Sequence, residues 1–136
     1  MKPGFLAPLL VRPAVPLVLR HSGTGAIVAD QLEAALDSAS RRKGLLGRDG
    51  LAPGAALIIA PSNAVHTFSM RFPIDVIFVR RSGEVAKVRA AMPRGRITAA
   101  LRAFAVIELP AGAAAAAGVR SGDRLEIVAG VRPGPH

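Results

Sequence analysis

The sequence predicts a small, mostly β single domain with minor α content: an antiparallel barrel-like or closed-sandwich fold with two short helices. Two observations lead there. Short apolar runs rich in Val, Ile, Leu and Phe recur at intervals of roughly 8–12 residues, separated by turn clusters of Gly, Pro, Ser, Asn and Asp. The 136 residues suit one domain, and 51% of them are hydrophobic, enough for a single core and too many for a largely disordered chain. No internal repeat is visible.

Residues 1–16 read as a flexible or extended arm. Lys2 followed by apolar residues imitates the start of a signal peptide, but Pro8, Arg12, Pro13 and Pro16 cut the apolar run, and no clean cleavage pattern follows. The run is also too short to span a bilayer. A cytoplasmic protein is therefore expected. The β-rich domain is expected over residues 17–129. Residues 17–20 form a short strand, and His21-Ser22-Gly23-Thr24-Gly25 is a turn cluster. By propensity alone the Ala, Glu and Leu content of residues 26–36 favours helix. Asp37 and Ser38 can cap a short helix over residues 38–46, with Gly47 as a left-handed terminator. Gly44 inside that helix costs about 1 kcal/mol against alanine, and close approach of another backbone is one reason to tolerate it. Residues 55–60 read as a buried strand, and Pro61-Ser62-Asn63 as a turn.

The chain is organised around residues 66–79. If residues 65–70 are extended, His66, Phe68 and Met70 share one face and Val65, Thr67 and Ser69 the other. Pro73 interrupts the ladder. Residues 74–79 resume as a strand with Asp75 on the face of Ile77 and Val79, so a carboxylate enters an apolar neighbourhood and must be hydrogen-bonded there. Backbone amides, or Thr67 and Ser69, are its expected donors. Ser82-Gly83 closes a hairpin between residues 74–80 and 84–91. Residues 92–98 are a loop, 104–109 a strand, 112–117 a short alanine helix stopped by Gly118, and 124–129 a last strand. Residues 130–136 are expected to be a disordered tail.

The run His66-Thr67-Phe68-Ser69-Met70-Arg71, continued by Ile74-Asp75-Val76 and Phe78, resembles the signature of domain of unknown function 192, a family of small prokaryotic proteins. Three further blocks match in order: Arg42-Lys43-Gly44-Leu45-Leu46-Gly47-Arg48, Glu108-Leu109-Pro110-Ala111-Gly112, and Gly118-Val119-Arg120-Ser121-Gly122-Asp123-Arg124-Leu125. The resemblance runs from about residue 26 to residue 128. It implies a fold and a place for a site, and favours strand over helix for residues 26–36. It implies no biochemical activity.

Several chemistries are excluded or weakened by residue type. Without cysteine there is no disulfide, thiol nucleophile or thiolate metal site. Without Trp or Tyr the commonest base-stacking and interface anchors are missing. The net charge of +9 permits anionic polymers as partners. The joint abundance of Arg, Ala, Gly and Pro, however, assigns that charge to composition, and nucleic acid is the less favoured partner. No serine near His66 sits in a Gly-x-Ser-x-Gly elbow, and no phosphate-binding glycine loop is present. His66, Asp75 and Glu108 offer at most a three-ligand mixed metal site, with His21 and His136 placed in flexible segments. Any cofactor is left unknown by the sequence.

Two readings compete for each candidate. His66 is either a site residue able to titrate or ligate, or a structural histidine bonded to backbone. Asp75 is either its carboxylate partner or a tie between loops. Arg41, Arg42, Lys43 and Arg48 are either an anion-binding surface, with Arg71, Arg94 and Arg96, or a solvated helix face. The favoured reading is a non-catalytic module for a small polar or anionic ligand. Its pocket is lined by His66, Thr67, Phe68, Met70 and Asp75 and flanked by Arg48 and Arg71. The alternatives are a metal-assisted or hydrolase-type enzyme centred on His66 and Asp75, and a binder of anionic polymers.

Overall fold

The β-branched runs in the middle of the chain become the central sheet, and the segments around them cover its two faces. The computed structural model describes residues 4–11 and 15–130. In chain order the elements are α1 (Ala7–Leu10), β1 (Leu17–His21), β2 (Ile27–Ala29), β3 (Gln31–Ala35), α2 (Ser38–Lys43), β4 (Ala55–Ile59), β5 (Ala64–His66), β6 (Ile74–Val79), β7 (Val85–Met92), β8 (Ile97–Ala99), β9 (Ala105–Pro110), α3 (Ala113–Ala116) and β10 (Leu125–Ala129). A five-stranded sheet runs β3-β4-β9-β6-β7, a three-stranded sheet β10-β1-β2, and β5 pairs with β8. β3 and β4 are parallel, from Gln31 opposite Ala55 to Ala35 opposite Ile59. The other named pairs are antiparallel.

Strand alternation divides the core in two. Ile77, Val79, Ile107 and Leu109 pack with Leu19, Leu125 and Ile127 on one face of the central sheet. Val76, Phe78, Val106, Leu57 and Ile59 pack on the other with Leu45, Met70 and Met92. Every residue of β6 is buried, which explains why its sequence is apolar on both faces except at Asp75. The arrangement is a mostly β sandwich. The barrel alternative does not hold, because the five-stranded order ends in β3 and β7 and the sheets do not close.

Locally, the strands that the resemblance implies for residues 26–36 are borne out, and other expectations are corrected. Residues 27–35 form two strands despite their helical propensity, because Asp30 and Gln31 donate to the Gly54 carbonyl and start the ladder to β4. The N-terminal arm supplies a third short helix and a core residue: Phe5 is buried and its amide donates to the Arg81 carbonyl. The Asp37 cap is present, accepting from the Ser40 amide, but α2 stops at Lys43. Gly44 has φ 46° and ψ −125°, and a Cβ there meets no backbone closer than the Arg41 carbonyl oxygen at 3.8 Å. Its glycine is therefore required by conformation, not by a close neighbour. Of the tail expected over residues 130–136, residues 131–136 lie outside the described residues, and the Gly130 amide donates to the Pro16 carbonyl at 2.8 Å. No helix of the described residues is long and apolar enough to cross a membrane.

Candidate functional site

The extended run expected from residue 65 to 70 breaks after His66. Met70 N–H donates to the Thr67 carbonyl at 3.2 Å and Ser69 has φ 65°, so the chain turns there. The turn redistributes the motif. His66 and Phe68 are exposed and stack on each other, ring centroids 5.3 Å apart. Met70 swings into the second core cluster. Thr67 is fully buried: its hydroxyl donates to the Pro93 carbonyl at 2.6 Å and accepts from the Arg96 amide at 3.0 Å. It fastens the β5 turn to the loop before β8.

Asp75 enters the apolar layer as expected and is fully buried there. Its donors are backbone amides, but from distant segments. Oδ1 accepts from Ala91 at 2.8 Å, and Oδ2 from Gly112 at 3.1 Å and Ala114 at 2.9 Å. The carboxylate thus caps α3 and pins an irregularity in β7. The strand register places it with Ile77 and Val79 in the first core cluster, across the sheet from the second. The alternative, a pairing of Asp75 with His66, does not form; Asp75 ties segments together instead.

On the second face a cavity of about 560 Å³ opens between α2, the Gly44 turn and β5. His66 and Met70 line it, but Thr67, Phe68, Asp75, Arg48 and Arg71 do not. Arg48 pairs with Glu33 at 2.7 Å and Arg71 with Asp49 at 2.7 Å. The cations that do line the cavity are Arg41, Arg42 and Lys43. Arg41 also donates to the Leu36 carbonyl at 2.9 Å and Arg42 to the Ser38 carbonyl at 3.3 Å, which fixes their guanidinium groups against the helix start.

The base of the cavity is Glu108. It stands on β9, the middle strand of the sheet, between Leu57 and Val76 in the register. It is 5% exposed, and its carboxyl has no hydrogen-bond partner among the described residues. Burial pushes its pKa up to about 7, while the charge of Arg48 pulls the other way. Sequence reasoning had weighed Glu108 only as a third metal ligand. A stronger signal was there: it is a carboxylate in an otherwise apolar strand, and it alternates with Val106 on the face opposite Ile107 and Leu109. Among the described residues no group of three or more His, Asp or Glu is placed to hold a metal.

His21 differs from its expected place in a flexible turn. It is buried, its Nδ1 accepts from the amides of Gly23 and Thr24, and its Nε2 donates to Asp123 at 2.9 Å. The bonds from His21 and from the Arg120 amide at 2.8 Å hold the Asp123 carboxyl below the ordinary carboxylate range. This dyad ties the first turn of the domain to the last and lies outside the cavity.

Comparisons with known proteins agree with the geometry and assign no chemistry. In the solved structures, the chain is similar to a protein of unknown function from Novosphingobium aromaticivorans, at 25% identity and a TM-score of 0.70, with 82% of this chain and 83% of that one covered. It is also similar to a protein from Sinorhizobium meliloti described as "a putative transcription regulator", at 24% identity and a TM-score of 0.71, with 82% and 92% covered. No curated protein matches the chain. The profile of the family described as "Uncharacterized ACR", domain of unknown function 192, matches residues 18–127, and the chain belongs to that family.

Proposed function

We propose that the protein is a non-catalytic binding module for a small anionic molecule, held in the cavity between α2 and β5. The observation that carries this reading is the cavity itself. Its volume of about 560 Å³ falls within the span typical of small-molecule sites, roughly 300–1,000 Å³. Its walls join apolar surface from Ile59, Val65 and Met70 to three cationic side chains on one side. Guanidinium groups already fixed by backbone carbonyls lose less freedom on meeting an anion than free ones do. Of the motif residues, His66 stands at the wall, while Thr67 and Asp75 support the scaffold from behind.

The test is native mass spectrometry of the purified chain, followed by thermal denaturation with inorganic phosphate and with citrate. A retained small molecule, or a rise in melting temperature that Arg42→Ala with Lys43→Ala abolishes, supports the reading. No retained species and no shift with either anion overturns it.

One observation favours a second reading, an enzyme using general acid–base chemistry. A buried carboxyl titrating near neutrality in a cavity that a histidine also lines is an arrangement such catalysis can use. Its centre is then Glu108 with His66, since Asp75 is fully engaged by backbone amides.

A further inference from the structure

An anion alone does not account for the base of the cavity. Three cations line it, yet its one buried polar side chain is a carboxyl, in the middle of the central sheet and without a hydrogen-bond partner among the described residues. A buried polar group left unpaired destabilises the fold. Among the described residues each of the other buried charged or titratable side chains has partners: Asp75 has three amides and His21 has Asp123 and two amides. Glu108 faces the open cavity instead, where solvent or an occupant can satisfy it. A simple anion would meet its negative charge or, at best, a single carboxyl proton. A nitrogen bearing N–H donors would meet two acceptor oxygens and, if cationic, would make a charge-assisted bond in a poorly solvated place.

Resting on the pocket reading above, we propose that the ligand is a small ampholyte, with an anionic group on the Arg41, Arg42 and Lys43 side and an amine on the Glu108 carboxyl. Opposite charges at the wall and the base make the cavity selective for molecules carrying both. They also orient the ligand, amine inward and acid outward. The apolar wall of Ile59, Val65 and Met70 suits a short hydrocarbon link between the two groups.

Isothermal titration of the full chain with 4-aminobutanoate and 6-aminohexanoate, against butanoate, hexanoate, butylamine and hexylamine, tests the proposal. At least one amino acid should bind at least about tenfold more tightly than its matched acid and amine, the effect of one charge-assisted hydrogen bond. Glu108→Gln should remove that advantage, while inorganic phosphate should bind the variant at least as tightly as the native chain because a negative neighbour is gone; retained phosphate binding also shows that the variant is folded. Near pH 7 the amine should drive a proton off Glu108, visible as a dependence of the binding heat on the buffer's own protonation enthalpy. Phosphate bound with no preference for amino acids over their matched acids, or a preference untouched by Glu108→Gln, overturns the ampholyte and leaves the anion pocket standing. Failure of every probe, phosphate included, overturns both.

Discussion

Asp75 and Glu108 are two carboxylates in adjacent strands of one sheet, and their surroundings send them to different work. Asp75 is saturated by three amides, so Asp75→Ala leaves those donors unpaired in the core and should destabilise by roughly 3 kcal/mol. Asp75→Asn, which keeps one acceptor oxygen, should cost less, and urea denaturation of both variants separates the two cases. Glu108 has the opposite sign. Its folded pKa is raised from 4.5 to about 7, so the native state holds more protons than the unfolded chain between those values. Stability should therefore fall as pH rises through that window, by on the order of 3 kcal/mol in all. Glu108→Gln should flatten the slope, as read from urea midpoints at several pH values. Asp123 and Asp37 act elsewhere: their lowered pKa values stabilise the fold above the ordinary carboxylate range, and that support is lost as pH falls further. The face of Asp75 was legible from period-two alternation, since β6 is regular. Its partners were not, because they lie 16 to 39 residues away and depend on where α3 docks. Glu108 was visible as an anomaly of type in an apolar strand. Its solvent side depends on the position of α2, which no local pattern encodes.

At the scale of elements, α2 and the turn after it decide whether there is a cavity. The sequence marks the start of this helix through Asp37 and misplaces its end by favouring Gly47 over Gly44. The reason is that both are glycines at positive φ, and only the fold shows which one terminates the helix. Gly44→Ala forces a side chain into a region that L-residues rarely occupy, at about 1–3 kcal/mol. It should lower the melting temperature and weaken phosphate binding together, while Leu101→Ala, at an exposed side chain outside the cavity, should do neither. Residues 27–35 teach a related lesson. Their composition favours helix, yet the parallel ladder to β4 and burial of Val28, Ala29 and Ala35 outweigh propensity. Family resemblance pointed to strand there because it carries the result of that tertiary competition. The β5 segment fails in the other direction. Alternation was extrapolated through a turn that Ser69 and the Thr67 carbonyl impose, so the face shared by His66 and Met70 does not exist as a strand face.

For the molecule as a whole, the net charge of +9 is the property most open to overreading. Part of it is paired, in Arg20–Glu126, Arg48–Glu33 and Arg71–Asp49, and part of it lines a cavity too small for a polymer. Binding to duplex DNA or heparin should then be weak and vanish by physiological salt. Tight, sequence-preferring binding in that salt, measured by fluorescence anisotropy, would favour the polymer reading over the pocket. The sandwich class was legible because strand spacing and turn chemistry are local. The sheet order was not, and that order carries a consequence for biosynthesis. β9 lies between β4 and β6, although both precede it in the chain. Until β9 has left the ribosome, the parallel β3–β4 unit and the β6–β7 hairpin, once emerged, each present a bare strand edge to the other and to their surroundings. The nascent chain should accordingly stay protease-sensitive and dependent on holding factors until β9 emerges and joins the halves. The pocket base arrives in the same event, so a chain competent to bind cannot precede a chain that has finished its central sheet.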